Sequence, residues 1–149
     1  MIKIAVSACL IGKNTKYDGG NNYNEAVMEY LKDKEYITIC PEVEGGLTTP
    51  RDPSEKVGNK ILSNKGKDVT KNFVMGATSS LQKILDNDIK IVIVKAKSPS
   101  CGYKEIYDGS FNRKIIEGNG VFTDLALKHN LTIYTEKDVE QMIKEKASL

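Results

Sequence analysis

Residues 89–94, with the sequence Ile-Lys-Ile-Val-Ile-Val, form the most apolar run of the chain, and Ser98-Pro99-Ser100-Cys101-Gly102 follows shortly after it. The run is short and rich in β-branched side chains, which is typical of a buried central strand. Proline cannot donate to a sheet ladder, and glycine adopts dihedrals that other residues avoid, so the strand must end before Cys101. Cys101 is therefore predicted just beyond the carboxyl end of a strand.

The other two cysteines follow predicted strands in the same way. Cys9 comes after the strand from Ile2 to Ala8, and Cys40 comes after the strand from Tyr36 to Ile39 and directly precedes a proline. In open parallel α/β sheets, ligands bind in the crevice beyond the carboxyl ends of the strands. If the three strands are neighbours, the three sulfurs meet in one crevice.

Helical and extended patterns alternate along the rest of the chain. Helices are predicted from Glu25 to about Lys34 with Asn24 as the cap, from Asp68 to about Leu85, from Val121 to His129, and after Thr135, where Asp138 completes a capping box. A fourth strand covers Leu131 to Tyr134, a small hairpin covers Val57 to Lys67, and three prolines and a Gly-Gly pair predict no helix between Cys40 and Glu55. This order predicts one α/β domain over residues 1–149, a Rossmann-like three-layer sandwich with a mainly parallel sheet.

Composition limits the class of protein. The chain has 149 residues and a formal net charge of +2, which argues against a partner as strongly charged as a long nucleic acid. No apolar stretch predicts a membrane helix or a signal peptide, so we expect a cytoplasmic protein without a membrane partner. An odd number of cysteines where thiols stay reduced favours metal binding or catalysis over disulfides.

Three interpretations of the cysteines remain open at this point. Free cysteines are often small buried apolar residues. Three thiolates with a water could hold zinc, since His129, the single histidine, is predicted at the end of a surface helix and makes a poor fourth ligand. Three thiolates could also hold an iron–sulfur cluster and leave one iron open to a substrate.

Polar residues near the strand ends are candidate site residues. Glu42, two positions after Cys40, is a candidate general base or a solvated loop acid, and Glu44 is a weaker candidate. Arg51 could hold a substrate oxygen or phosphate, or form a structural ion pair. Ser98 and Ser100 could donate hydrogen bonds to a ligand or to sulfide, or form only the turn.

The loops contribute further candidates. Gly45 and Gly46 would let the backbone approach a ligand closely. Asp18 could contact a substrate or cap its own turn. Together the candidate substrate-binding residues are Tyr17, Asp18, Gly45, Gly46, Arg51 and Ser100.

These residues carry a resemblance to a known family. The motifs are Val6-Ser7-Ala8-Cys9-Leu10-Ile11-Gly12 with Tyr17-Asp18-Gly19-Gly20, Cys40-Pro41-Glu42 with Gly45-Gly46-Leu47 and Pro50-Arg51, and Lys97-Ser98-Pro99-Ser100-Cys101-Gly102 with Tyr107-Asp108-Gly109. Together with Asp68-Val69-Thr70, Phe73 and Gly76-Ala77, they resemble the thiouracil desulfidase family. The resemblance covers nearly the whole chain.

The resemblance implies an enzyme with a [4Fe-4S] cluster held by three cysteine ligands, here Cys9, Cys40 and Cys101, with one open iron. It implies non-redox removal of sulfur from a thiolated pyrimidine, as base, nucleoside or nucleotide, to give the oxo base and sulfide. Glu42 would activate water, and Ser98 would assist by hydrogen bonding or proton transfer. The alternative is a metal- or cluster-binding sulfur carrier or regulatory module without turnover. A thiol-dependent hydrolase would need a histidine partner that His129 is poorly placed to provide.

Overall fold

The computed structural model describes residues 2–147. In chain order the elements are β1 (Lys3–Ser7), a 3-10 turn (Ala8–Ile11), α1 (Glu25–Leu31), β2 (Glu35–Ile39), α2 (Pro41–Glu44), β3 (Ser54–Val57), β4 (Lys60–Ser63), α3 (Thr70–Asp86), β5 (Ile91–Val94), β6 (Glu105–Tyr107), β7 (Ile115–Glu117), α4 (Val121–Lys128), β8 (Thr132–Thr135) and α5 (Glu136–Ala147). The predicted alternation of strands and helices is confirmed.

The central sheet has four parallel strands in the order β2-β1-β5-β8. Val6 of β1 pairs with Thr38 of β2 on one side and with Ile93 of β5 on the other. The three strands that precede the cysteines are therefore direct neighbours. This arrangement brings all three cysteines to the same edge of the sheet.

Helices cover both faces of this sheet and give it three layers. Side chains alternate along β1, so that Ala5 packs with α3 and α4 while Ile4 and Val6 pack with α1 and α5. The largest buried side chains include Phe73 of α3 and Phe122 of α4. The chain is thus a three-layer α/β sandwich, as its sequence predicts.

Local capping signals fix several helix ends. The side chain of Asn24 accepts a hydrogen bond from Val27 N, and Thr135 and Asp138 exchange the two bonds of a capping box. Both predictions are confirmed. None of the helices within residues 2–147 is long and apolar enough to cross a membrane.

One prediction about a loop was wrong, and one hairpin was missed. Residues 41–44 form α2, because Pro41 occupies the first helical turn, where its missing N–H costs nothing. The side chain of Glu44 closes the turn by accepting a hydrogen bond from Cys40 N at 2.9 Å. The hairpin of β6 and β7 follows the site loop, and its second strand is exposed throughout, so it lacks an alternating apolar pattern.

Candidate active site

The three cysteines lie at consecutive strand ends, but each is held by a different local structure. Cys9 lies in the 3-10 turn after β1, Cys40 caps α2 after β2, and Cys101 is buried in the loop after β5. All three are free thiols. The convergence predicted from the sequence thus has its basis in the strand order.

The three thiols are desolvated, and the charge of one affects the pKa of the other two. Burial is the largest effect on each thiol, and it raises the pKa of Cys9, Cys40 and Cys101. The charge of Cys40 further raises the pKa of both other thiols. Three sulfur atoms that interact in this way form a donor set of the kind that binds iron–sulfur clusters.

Within residues 2–147, no three histidine, cysteine or acidic side chains are arranged closely enough to hold a single metal ion. An iron–sulfur cluster is wider than one ion, and each cysteine ligand binds a different iron, so its ligands need not meet at one point. A bound metal ion would oppose the increase that burial causes in the pKa of each thiol, because a thiol that coordinates a metal is deprotonated. Three thiols at neighbouring strand ends supply the ligand type that iron–sulfur clusters favour.

Glu42 is positioned by the short helix α2, which packs closely on α3. A Cβ atom on Gly45 would overlap the carbonyl of Asn72, and one on Gly76 would overlap the carbonyl of Pro41. The side chain of Asn72 also donates a hydrogen bond to Gly45 O at 2.8 Å. Gly45 and Gly76 therefore allow the backbones of α2 and α3 to touch. This contact fixes the turn that carries Cys40 and Glu42.

Arg51 forms a nearly buried ion pair with Glu42. Its Nε donates to Glu42 Oε1 at 3.1 Å, and the side chains are 8% and 17% exposed. The other guanidinium nitrogens donate to Thr48 O, Thr49 Oγ1 and Thr15 O. Since these bonds fix the guanidinium on several sides, Arg51 sets the orientation of Glu42.

Ser100 links Glu42 to Ser98. Ser100 Oγ donates to Glu42 Oε2 at 2.9 Å and lies 2.9 Å from Ser98 Oγ. Ser98 Oγ also accepts hydrogen bonds from the backbone N–H groups of Ser100 and Cys101, at 3.1 and 3.0 Å. These contacts join both predicted catalytic residues into one polar chain.

The loop of Ser98 and Cys101 is built by unusual backbone and close packing. Lys97 adopts a φ of 68°, a left-handed conformation that turns the chain away from β5. Gly120, just before α4, packs so closely that a Cβ atom would overlap the backbone of Ser100. Thr123 of α4 donates to Cys101 O at 2.7 Å. The loop is thus held against the start of α4.

Several other predicted site residues make contacts that stabilise the loops or helices in which they lie. Asp18 Oδ1 accepts a hydrogen bond from Gly20 N and caps its own turn, while Tyr17 O accepts from Arg51 N. Gly46 has a φ of 89° where the chain leaves α2. Glu44 binds Cys40 N and Ser80 Oγ, so it stabilises α2 on α3.

His129 is exposed at the end of α4, where its Nδ1 lies 3.1 Å from Leu125 O. It makes no contact with the cysteines. The prediction that it belongs to a surface helix end is confirmed, and a histidine-assisted thiol nucleophile finds no support in this arrangement.

Several polar residues around the cysteines were missed by sequence reasoning. Asn22 Nδ2 lies 3.4 Å from Cys9 Sγ, and Ser7 Oγ lies 3.7 Å from Cys101 Sγ. Lys95 and Glu136 form an ion pair at 3.0 Å, and their charges act on the Cys9 thiol in opposite directions. Only the tertiary fold brings these groups together, since no local pattern distinguishes them from ordinary strand and loop residues.

A cavity of about 460 Å³ adjoins the loop of Arg51. Thr48, Pro50 and Arg51 line one part of it, and Ser63, Lys67 and Val69 line another. Its walls combine apolar surface with the cationic side chains of Arg51 and Lys67 and the carboxylate of Asp52, and its volume is in the range of small-molecule sites.

Comparison with known proteins agrees with the resemblance of the motifs. Residues 4–138 match the sequence profile of the family described as 2-thiouracil desulfurase. The uncharacterized protein YbbK of Bacillus subtilis (strain 168) is 33% identical over 150 residues, which cover 94% of this chain and 99% of that protein. A solved structure described as the [4Fe-4S]-dependent thiouracil desulfidase TudS is 34% identical, with a TM-score of 0.88 over 100% of both chains. The chain therefore belongs to the 2-thiouracil desulfurase family.

Proposed function

We propose that the protein is an iron–sulfur-dependent desulfidase that replaces the sulfur of a thiolated pyrimidine with oxygen from water. The observation that carries the proposal is the chain of contacts from Arg51 through Glu42 and Ser100 to Ser98, next to three thiols on neighbouring strands. Membership of the family and the similarity to TudS support the same activity.

Cys9, Cys40 and Cys101 would hold the cluster. When bound, a cluster with one iron free of protein ligands would supply Lewis-acid polarisation of the thiocarbonyl sulfur. The electron balance is that of a hydrolysis. A thiocarbonyl group and water give a carbonyl group and hydrogen sulfide, and no electrons are transferred.

Glu42 would accept the proton of the attacking water. Arg51 keeps the carboxylate oriented, and each carboxylate oxygen has two lone pairs, so an attacking water can still donate a hydrogen bond to Glu42. The Glu42 side chain is 17% exposed, so the carboxylate is partly shielded from bulk water while a single water can still reach it.

Counting donors and acceptors sets the direction of the hydroxyl chain. A serine hydroxyl has one proton and two lone pairs. Ser98 Oγ accepts two backbone N–H groups, so in its contact with Ser100 it must donate. Ser100 in turn donates its proton to Glu42. This charge-assisted bond, at 2.9 Å, is stronger than the 3.6 Å contact of Ser100 Oγ with Cys101 Sγ.

This chain can return a proton to the reaction. When the Ser98 hydroxyl rotates its proton from Ser100 toward the departing sulfur and gives it up, the Ser98 oxygen gains a lone pair that accepts the proton of Ser100. Ser100 then takes the proton that Glu42 received from water. Ser98, Ser100 and Glu42 thus return to their starting protonation states after one proton has passed from water to sulfur. The second proton, left on the added oxygen, passes to Glu42 and reaches sulfur by a second turn of the same chain, which forms the carbonyl group and releases hydrogen sulfide.

The substrate would lie at this carboxyl edge of the sheet, with its body toward the cavity beside Arg51. Tyr17, Asp18, Gly45, Gly46, Arg51 and Ser100 remain proposed substrate-binding residues, although contacts within the protein already occupy several of them. The cavity volume leaves room for more than a single ring.

The experiment is an anaerobic assay on cluster-loaded protein with 2-thiouracil, its nucleoside and its nucleotide. We expect equal amounts of sulfide and the oxo product from at least one of the three. Sulfide binding without formation of the oxo product would instead indicate a sulfur carrier.

A further inference from the structure

Each cysteine sulfur has its own polar side chain close by. Asn22 Nδ2 lies 3.4 Å from Cys9 Sγ, and Ser7 Oγ lies 3.7 Å from Cys101 Sγ. Burial raises the pKa of the Cys40 thiol, and the Thr15 hydroxyl lies close enough to the sulfur to oppose that increase. These three residues come from the end of β1 and the loop after it, and none of them is an obvious ligand.

Thr15 is the most informative of the three. Among the buried side-chain nitrogens and oxygens of residues 2–147, only Thr15 Oγ1 makes no hydrogen bond of ordinary geometry. A buried hydroxyl without a partner destabilises a protein, because it has lost its hydrogen bonds to water without replacing them. A buried hydroxyl next to a sulfur is a hydrogen-bond donor for which a Cys40 thiolate would be the acceptor.

The other two donors occupy similarly constrained positions. Ser7 is 4% exposed, and its oxygen also accepts a hydrogen bond from Lys95 N at 3.1 Å. The bond from Lys95 N uses a lone pair of the Ser7 oxygen and leaves the hydroxyl proton to point at Cys101. Asn22 is tied by its backbone to Cys9 O at 3.0 Å, which holds its side-chain amide over the same residue.

We propose that Thr15, Asn22 and Ser7 are positioning residues that donate hydrogen bonds to the cysteine thiolates and thereby retain a bound iron–sulfur cluster. The inference rests on the proposed cluster-binding function. Thiolates accept hydrogen bonds more strongly than thiols do, so each donor favours the ligated state over the empty one. Groups that hydrogen-bond to metal ligands typically contribute about 10- to 100-fold in metal affinity.

Thr15→Val is the sharpest test, because valine has nearly the same shape and removes only the hydroxyl. The backbone carbonyl of Thr15, which accepts from Arg51, is unchanged. The same substitution at Thr132, an exposed position on β8, serves as the control. If Thr15 were merely structural, the variant would change folding stability without changing cluster retention.

The measurement is the rate of iron loss from anaerobically reconstituted protein to an excess of chelator, together with the melting temperature of the cluster-free form. For Thr15→Val we expect about tenfold faster iron loss and an equal or higher melting temperature of the cluster-free protein, since a buried unpartnered group is gone. Thr132→Val should lose iron at the wild-type rate.

Two further results would overturn the inference in distinguishable ways. Equal iron loss from wild type and Thr15→Val would contradict this inference and leave the proposed function standing. A wild-type protein that takes up no iron would contradict both. If Thr15→Val failed to fold, Asn22→Leu would provide the same comparison at Cys9. We expect faster iron loss from that variant as well. An unchanged rate of iron loss would contradict the inference.

Discussion

Ser100 donates a hydrogen bond to Glu42 at 2.9 Å, although 58 positions separate them in the chain. Glu42 belongs to the turn after β2, and Ser100 belongs to the loop after β5, with β1 between the two strands. The contact therefore spans the mouth of the crevice. It joins the carboxylate that Arg51 orients to the hydroxyl of Ser98.

Ser100→Ala should interrupt proton transfer between Ser98 and Glu42. Because general acid–base steps typically contribute about 10²- to 10⁴-fold, we expect kcat to fall by about a hundredfold. Iron and sulfide content per chain should stay at the wild-type level.

Ser110→Ala is a matched control, since Ser110 also bonds a carboxylate, that of Asp108, but on an exposed loop. Its turnover should equal that of the wild type. A Ser100→Ala enzyme with full cluster content and turnover within about twofold of wild type would show that protons take another path.

Gly45→Ala should separate α2 from α3, because the new Cβ would overlap the Asn72 carbonyl. Overpacking of this kind destabilises by about 1–3 kcal/mol, and here we expect the upper end of that range. The displaced turn carries both Cys40 and Glu42, so cluster content and turnover should fall together.

Gly46→Ala provides the comparison, because there a Cβ has room and only the positive φ of 89° opposes it. We expect a loss of about 1 kcal/mol in the free energy of unfolding, measured by urea denaturation. If Gly46→Ala proved the more damaging of the two, the close packing of α2 on α3 would not be what positions Glu42.

The cluster-free protein should lose stability at alkaline pH. Burial raises the pKa of all three thiols above their ordinary value of 9.0. In the unfolded chain the thiols ionise near that value, whereas in the folded protein they resist ionisation. The resulting stability is fully present below about pH 9 and is lost as the pH rises from there toward the folded pKa values.

Thermal unfolding of reduced, metal-free protein between neutral pH and about pH 10 measures this effect. Cys101→Ala removes the most deeply buried thiol and should flatten the decline, even though its stability at neutral pH is lower. A wild-type melting temperature that rises over this interval would contradict the assignment.

The strand ends that carry the cysteines could be predicted because they depend on local signals, whereas the strand order that makes the three strands neighbours comes only from the fold. A β-branched run that ends at Pro or Gly identifies a strand end, and alternating elements indicate a parallel sheet. Asn24, Thr135 and Asp138 act within one turn of their own helices, so their caps could also be predicted.

Helix α2 and the polar chain at the site could not be predicted in this way. Residues 41–44 form a helix because Glu44 and the packing of Gly45 on α3 compensate for a sequence that looks like a loop. The bonds of Glu42 to Ser100 and Arg51 are tertiary contacts, and no spacing along the chain encodes them. Thr15 and Asn22 are typical loop residues until the fold places them beside sulfur.

The most direct test compares wild type with Glu42→Gln after anaerobic reconstitution, with iron, acid-labile sulfide and product from 2-thiouracil measured on the same samples. We predict about four irons and four sulfides per chain in both proteins, and at least about a hundredfold slower formation of the oxo product in Glu42→Gln. Full turnover by Glu42→Gln, or a wild-type protein that binds stoichiometric zinc and no iron, would contradict cluster-dependent hydrolysis with Glu42 as its base.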